Sequence, residues 1–393
     1  MRTHLLSNAR IITPVADFTG SVVIENGRIA DITKNRNYPE GEDLGGLWLV
    51  PGGIDIHSDY LEREIHPRPG AQFPMPMAFH FTDQRAAACG LTTVLSAVSF
   101  SDDHNLNRNF DGAIEQAKEM DQLRKTALVR HCVHARLNPN TDTVLDYLDR
   151  MREIESLKLV VYNDAVPGQR QFSFEDLVVR RAKSLNITGD EARRRLQQQV
   201  DELSKVNRRP EIQAALAGFC PLGSHDDTTP AHVEEAHHFG ATLSEMPTTL
   251  AAARRAKELG MLVCMGAPNY VRGGSHCGNL SCAEAMAENL VDILCSDYHF
   301  PTMLTAVLMM IHRGISPARA INYVSLHPAR LLGLDGVTGS IEVGKEADLV
   351  AFKAHTSHAE VIRVWVQGVN KYHVAARGIP DPAAVKPTHS PWG

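Results

Sequence analysis

Short apolar runs separated by turn residues occupy both ends of the 393-residue chain. In residues 1 to 50, Asn26 and Gly27 stand between two such runs, and this dipeptide is a strong signal for a β-hairpin. Residues 338 to 393 have the same pattern, with glycines between the runs. We therefore predict that the two ends pair into one small β-sandwich domain.

The middle of the chain, residues 51 to 337, alternates apolar strand patterns with helical ones. An α/β chain with eight such strands is typical of a (β/α)₈ TIM-like barrel, whose active site lies at the carboxyl ends of the strands. An arginine-rich stretch at about 174–215 is too long for a simple connection and predicts an inserted helical pair. The candidate strands are 48–57, 91–100, 129–137, 158–164, 217–225, 240–246, 261–267 and 292–297, and the helical patterns are 111–125, 143–157, 231–239, 248–260 and 281–290.

The composition argues against several classes of protein. A net charge of −6 gives no general attraction to nucleic acid, and no run of about 18 uncharged apolar residues could cross a membrane. The seven cysteines contain no C-x-x-C pair, which argues against a disulfide framework or a zinc finger. The first residues lack the apolar core of a secretory signal. We expect a cytoplasmic protein with a small-molecule substrate. The sequence does not determine the oligomeric state, and a homo-oligomer is one of the alternatives.

Polar side chains follow three of the predicted barrel strands. His57 and Asp59 lie two residues apart, so they share one face of a strand, and His225 and Asp297 close two later strands. Imidazole nitrogens and carboxylate oxygens that converge on one point suit Zn²⁺, Mn²⁺ or a similar divalent ion. The alternative is a set of polar strand ends that only bond loop backbone. We expect four other histidines on helix surfaces or in contact with the metal ligands rather than with the ion itself: His131, His134, His237 and His238.

Longer motifs resemble the amidohydrolase superfamily of metal-dependent hydrolases. They are PGGIDIHSD, HPARLLGLDGVTGSIEVGKEADLVAF and the single aspartate after the last barrel strand. Within that superfamily, four segments resemble the hydrolases of the carbon–phosphorus lyase pathway of phosphonate use: LEREIHPRPG, VPGQRQF, SHDDTTPAHVEEAHHFGATLSEMPTT and GAPNYVRGGSHCGNLS. The resemblance implies hydrolysis of the triphosphate arm of a ribose 1-phosphonate, with release of diphosphate.

The resemblance also implies roles for particular residues. The metal ligands would be His57, Asp59, His225 and Asp297, with Asp297 as proton acceptor and His225 as a second catalytic group. The implied cofactor is Zn²⁺, with Mn²⁺ or Fe²⁺ as alternatives. Arginine side chains bind phosphoryl oxygens in pairs, and backbone amides of glycines would add an anion nest. The phosphorylated ribose phosphonate would be bound by Arg68, Gln169, Arg170, Arg272, Gly273, Gly274, Ser275 and His276.

Two positions depart from the family pattern. Asn138 stands where the pattern has a metal-bridging glutamate, and Ala165 stands where it has a histidine. A second metal ion would lose two of its three ligands, so one ion per chain is favoured over two, and Asp164 could substitute only if it faces the site. Two other functions stay open: a one-metal amidohydrolase that cleaves a C–N bond, and a hydrolytically weak protein that still binds phosphonate esters.

Overall fold

A computed structural model describes residues 3–68, 70–102, 108–164, 166–170 and 172–374. The strands are β1 (Thr3–Ile12), β2 (Asp17–Glu25), β3 (Arg28–Lys34), β4 (Glu42–Asp43), β5 (Trp48–Pro51), β6 (Gly53–Ser58), β7 (Leu91–Phe100), β8 (Arg130–Leu137), β9 (Leu157–Tyr162), β10 (Leu222–His225), β11 (Ala241–Glu245), β12 (Leu262–Gly266), β13 (Ile293–Cys295), β14 (Leu349–Ala354), β15 (Ala359–Val366) and β16 (Val369–His373).

The α-helices are α1 (Tyr60–Ile65), α2 (Met75–Ala88), α3 (Phe110–Leu123), α4 (Leu148–Arg152), α5 (Phe174–Leu185), α6 (Gly189–Leu203), α7 (Arg209–Leu216), α8 (Pro230–His238), α9 (Leu250–Glu258), α10 (Ala267–Arg272), α11 (Cys282–Ala287), α12 (Thr302–His312), α13 (Pro317–Asn322) and α14 (Leu326–Leu331). Two short 3₁₀ helices span Arg124–Thr126 and Asp142–Tyr147. None of the helices in the described part of the chain is both long and apolar enough to cross a bilayer.

The two ends of the chain form one sheet, as predicted. Its strand order is β16-β15-β14-β5-β1-β2-β3, with β4 beside β1. The start of β3 is also bonded to the segment before β14, because the Ile29 amide donates to the Lys345 carbonyl at 2.8 Å. Apolar side chains from β1, β2, β3, β5, β14 and β15 therefore share one buried cluster, in the manner of a small sandwich.

Strands β6 to β13 form a parallel sheet in chain order, which confirms the predicted barrel. The barrel closes where β6 meets β13: the Asp59 amide donates to the Asp297 carbonyl at 2.7 Å, and the Asp297 amide donates to the His57 carbonyl at 3.0 Å. A parallel bridge joins Ser58 to Asp297. Closure thus places the end of the first barrel strand beside the end of the last.

The first predicted barrel strand, 48–57, is two strands in different sheets. Residues Trp48–Pro51 pair with β1 and β14, and the chain enters the barrel at Gly53. Gly52 makes the crossing, where a Cβ atom would clash with the side chain of Thr92. Both halves are apolar because both are buried, so hydrophobicity alone could not locate the break.

The inserted stretch contains three helices. Helices α5 and α6 pack through a small cluster of their own, formed by Val178, Ala192 and Leu196. Helix α7 instead packs against the barrel through Ile212 and Leu216, which belong to the main core. The division into 1–50, 51–337 and 338–393 remains our proposal for the domain boundaries.

Candidate active site

Three side chains at the mouth of the barrel form a group that could hold a metal ion. One ligand atom each of His57, Asp59 and Asp297 lies within 4.8 Å of the others. Nε2 of His57 lies 3.6 Å from Oδ1 of Asp59, and this carboxylate oxygen is buried without a hydrogen-bond partner. The guanidinium of Arg136 lies 3.3 Å from this oxygen and balances part of its charge, and no hydrogen bond from a described residue occupies the lone pairs that could bind an ion. This donor set therefore fits a divalent ion.

The backbone is strained at three barrel-strand ends around this group. Asp226, Met246 and Asp297 have φ values of 55°, 53° and 54°, a left-handed conformation that non-glycine residues seldom adopt. All three residues line the pocket above the barrel. Strain of this kind persists where surrounding contacts enforce it, and it is common at functional sites.

Glu245, at the end of β11, is a site residue that the sequence analysis missed. Its fully buried Oε2 atom accepts a hydrogen bond from Nδ1 of His225 at 2.9 Å. The same oxygen lies 2.9 Å from Nδ1 of His57, in a contact that is less well aligned. An acceptor in this place favours a proton on each Nδ1 and leaves each Nε2 for a metal ion or substrate. Burial acts to raise the pKa of Glu245, but the imidazoles of His57 and His134 hold it well below its usual value. A charged residue near the end of the apolar run GATLSEM was the signal in the sequence that could have identified Glu245 as a site residue.

His134 lies inside the barrel on β8, with its ring centroid 4.8 Å from that of His57. Its Nδ1 lies 2.9 Å from the Ile56 carbonyl oxygen, which can only accept, so the Nδ1–H donates and Nε2 carries a lone pair. Burial lowers the pKa of His134 to about 4. His131 instead contacts Asp83 at 3.0 Å, and His237 and His238 are exposed on α8.

His134, Glu245 and His57 form a second, fully buried group that could hold a cation. The two groups compete for the same imidazole. His57 would serve the outer group through Nε2 and the inner group through Nδ1, and it would have to lose both ring protons to serve both. Only the outer group opens to the pocket, and a catalytic ion needs an open coordination position. The geometry therefore favours one ion, on His57, Asp59 and Asp297.

Among the described residues, neither Asn138 nor Asp164 belongs to either group. The Asn138 side chain accepts a hydrogen bond from the Asn140 amide at 2.9 Å and so holds the turn after β8. Asp164 forms ion pairs with Arg170 and Arg209. Ala165 lies outside the described residues.

Cationic side chains surround the open pocket above the outer metal group. Tyr298 stands between two of them: Nη1 of Arg272 lies 3.3 Å from its hydroxyl oxygen, and the guanidinium of Arg63 lies 5.5 Å from its ring centroid. This arrangement gives a net-acidic protein a local site for an anion. Beyond the metal group, the basic residues that line the pocket are Arg63, His66, Arg108, Arg136, His225, Arg272 and His276, and the acidic ones are Glu62 and Asp226.

The predicted substrate residues of the α10 loop lie at this pocket. Arg272 and His276 line it, whereas Gly274 and Ser275 line a smaller adjoining cavity that shares Asp226, Asp297 and Tyr298 with it. The amides of Gly273 and Gly274 donate instead to the carbonyls of Tyr270 and Asn269, at 3.3 and 3.0 Å. We correct the predicted anion nest accordingly, because these two N–H groups complete the end of helix α10 and are not free for an anion.

The other three predicted substrate residues lie apart from the metal group. Arg68 and Gln169 are exposed and are not among the residues that line the pocket. Arg170 is largely buried in ion pairs with Asp164 and with Asp227, the latter at 2.8 Å. Its guanidinium is therefore shared between carboxylates of the protein.

Asp297 has the surroundings of a proton acceptor. Burial raises its pKa to about 6, so this carboxylate takes up a proton more readily than an exposed aspartate does. The neighbouring Asp227 is a poorer candidate, because its carboxylate accepts hydrogen bonds from Ser224 and Ser244 as well as from Arg170.

Comparisons with known proteins agree with this architecture. The sequence pattern of the Amidohydrolase family matches residues 83–371. The chain belongs to the amidohydrolase family. It is 32% identical to the alpha-D-ribose 1-methylphosphonate 5-triphosphate diphosphatase of Escherichia coli (strain K12), over 93% of this chain and 99% of the relative.

Solved structures of amidohydrolase-like proteins share the fold. A D-hydantoinase matches with a TM-score of 0.61 and 16% identity, over 94% of this chain and 95% of its own. The N-acetylglucosamine-6-phosphate deacetylase of Pasteurella multocida matches with a TM-score of 0.59 and 14% identity, over 93% and 99%. Amidohydrolases generally use a divalent metal ion, and the group of His57, Asp59 and Asp297 is suited to one.

Proposed function

We propose that this amidohydrolase is a one-metal hydrolase that cleaves the triphosphate arm of a ribose 1-phosphonate, releases diphosphate and leaves a 5-phosphate. The observation that carries the proposal is the pairing of a single open metal group with a ring of basic side chains in one pocket. The diphosphatase of Escherichia coli, similar over nearly the whole chain, supports the same substrate class. A metal-dependent enzyme of this kind would work on a soluble metabolite, and we place it in the cytoplasm.

The residues of the chain have separate tasks in this proposal. A divalent ion, when bound to His57, Asp59 and Asp297, makes hydroxide available near neutral pH. Asp297 accepts the proton of the attacking water on a carboxylate oxygen. Burial acts to lower the pKa of His225, but Asp226 and Glu245 raise it, and the imidazolium form, which carries a proton on Nε2 as well as on Nδ1, can donate to a phosphoryl oxygen. Arg272 and His276 hold the distal phosphates away from bulk water.

Hydrolysis of a C–N bond is the second candidate function. One metal ion with an aspartate base is enough for water to attack an amide carbon. Similar folds include a D-hydantoinase and a deacetylase of an amino-sugar phosphate, although their identity to this chain is low. The basic pocket favours the phosphoanhydride substrate, because a triphosphate arm brings more negative charge for these groups to bind than the single phosphate of an amino-sugar phosphate.

Phosphorus NMR of the phosphate products, with proton NMR of any released acetate, separates the two functions. The metal-loaded protein is incubated in parallel with a ribose 1-phosphonate 5-triphosphate and with an N-acetylated amino-sugar 6-phosphate. We expect diphosphate and a 5-monophosphate from the first compound, and no deacetylation of the second. Turnover of the amide alone would replace the proposed function with C–N hydrolysis, and release of single phosphates would exclude cleavage between the α- and β-phosphates.

Arg272→Lys tests recognition of the phosphate arm. A lysine keeps the charge but loses the paired N–H groups of guanidinium, so we expect KM for the triphosphate to rise about tenfold. The matched control is Arg254→Lys, a surface arginine that pairs with Glu288. The measurement is kcat/KM for triphosphorylated against unphosphorylated ribosides. An equal loss on both substrates would make Arg272 structural and would favour the C–N hydrolase.

Arg170→Lys should behave differently, although the sequence assigned it the same task. Its guanidinium joins Asp164 to Asp227, so a lysine would leave part of this buried cluster unpaired. We expect the free energy of unfolding to fall by about 2 kcal/mol, with little change in discrimination between the two ribosides. Denaturant titration measures the first quantity. A selective loss on the triphosphate, at full stability, would restore the role predicted from the sequence.

A further inference from the structure

Arg136 is a largely buried cation inside the barrel. It lies on β8, two residues after His134, and its side chain is only 12% exposed although it lines the open pocket. Nη1 lies 3.3 Å from Oδ1 of Asp59, the oxygen that fits the metal ion, and Nη2 lies 3.2 Å from Oε2 of Glu62. The guanidinium therefore stands directly beside the metal group.

The neighbours of Arg136 hold it in one place. Glu62 is fixed from its other side by Arg108, whose Nε donates to Oε1 at 2.9 Å. A row of alternating charge thus runs from the metal group to the wall of the pocket, in the order Asp59, Arg136, Glu62, Arg108. Burial acts to lower the pKa of Arg136, but the carboxylates raise it, so the group stays charged.

The bonding of Arg136 is incomplete. Its guanidinium donates one well-aligned hydrogen bond to a described residue, Glu62. The buried Nε–H has no hydrogen-bond partner among the described residues. A guanidinium offers several donors in one plane, so donors remain for a ligand in the pocket. If Asp59 binds a metal ion, its single negative charge is shared between that ion and the guanidinium of Arg136. The ion and the guanidinium would then be two neighbouring cations whose charge is not fully balanced. An anion that bridges them would balance this charge.

We propose that Arg136 binds the scissile phosphoryl group beside the metal ion and supplies the positive charge that a second ion would supply in a two-metal centre. This inference rests on the proposed function. It also agrees with the presence of Asn138, since a site that uses a fixed guanidinium needs no carboxylate to bridge two ions. Guanidinium is well suited to the task, because it presents paired donors to phosphoryl oxygens and keeps its charge at every physiological pH.

The test measures anion binding and metal content as well as turnover. Inorganic diphosphate is titrated calorimetrically into metal-loaded wild type, Arg136→Ala, Arg136→Lys and Arg85→Ala. Arg85 is the control, a surface arginine paired with Glu64 outside the pocket. We expect Arg136→Ala to keep one ion per chain, to bind diphosphate at least about tenfold more weakly and to lose at least about 100-fold in kcat. Millimolar guanidinium should restore part of both losses, whereas Arg85→Ala should match wild type.

Arg136→Lys keeps the buried charge and protects the test against loss of folding in the alanine variant. We expect it to fold, to keep its ion and to lose more in kcat than in KM, because a point charge loses the paired geometry. Unchanged diphosphate affinity in folded variants, without rescue by guanidinium, would overturn the inference. If wild type does not cleave the triphosphate but diphosphate binding still depends on Arg136, the proposed function fails while the anion site stands.

Discussion

Asp297→Asn is expected to abolish hydrolysis, with kcat at least about 1,000-fold lower and the fold intact. The substitution keeps the size of the side chain, and the backbone bonds that close the barrel at residue 297 do not involve it. It removes a metal ligand and the proton acceptor together, because an amide nitrogen cannot take up the proton of a water molecule. The measurements are kcat, thermal unfolding and metal content of the same preparation.

The control for this variant is Asp201→Asn, at an exposed position of helix α6. Among the described residues, the Asp201 carboxylate accepts a side-chain hydrogen bond from Gln197 only. This variant should retain full activity. A near-normal kcat for Asp297→Asn would show that another group accepts the proton. The next candidate would be Asp226, which lines the pocket, and not Asp227, whose carboxylate is held by Ser224, Ser244 and Arg170.

Glu245→Gln is expected to weaken metal binding about 10- to 100-fold and to lower kcat with it. The carboxylate contacts Nδ1 of His57 and of His225, so it orients both rings toward the pocket. A glutamine keeps the size but can turn an N–H group toward these nitrogens, and it then favours the tautomer with the proton on Nε2, which cannot bind a metal ion. Competition with a chelator, followed across pH, measures the effect.

A purely structural role for Glu245 would give a different result. Metal affinity per folded chain would then match wild type, and only the unfolding midpoint would fall. The control is Glu288→Gln, which removes a surface carboxylate paired with Arg254 and should leave both quantities unchanged. Equal metal affinity in Glu245→Gln and wild type would contradict the role given to this residue.

The barrel was predictable because its strands carry a strong local signal. Each strand from β7 to β13 overlaps a strand predicted from the sequence, and β7 and β9 are clear apolar runs because both faces of a barrel strand are covered. The change of sheet at Gly52 was not predictable, because it depends on the approach of Thr92 from a strand about forty residues away.

The candidate site was predictable only in part, for a related reason. His57, Asp59 and Asp297 end strands that the closed barrel brings together, so a strand pattern was enough to group them. His134 and Glu245 reach the same point from the barrel interior, which depends on the register of β8 and β11. The partners of Arg170 were hidden in the same way, because Asp164 and Asp227 meet it only through tertiary packing.

The number of metal ions per chain tests the one-metal centre most directly. Elemental analysis of the purified protein, followed by an anomalous-scattering map, gives both the count and the position of each ion. We predict about one divalent ion per chain, bound by His57, Asp59 and Asp297, because both candidate groups require the same imidazole. Two fully occupied ions with ordinary ligand distances, or a single ion on His134 and Glu245, would contradict the account.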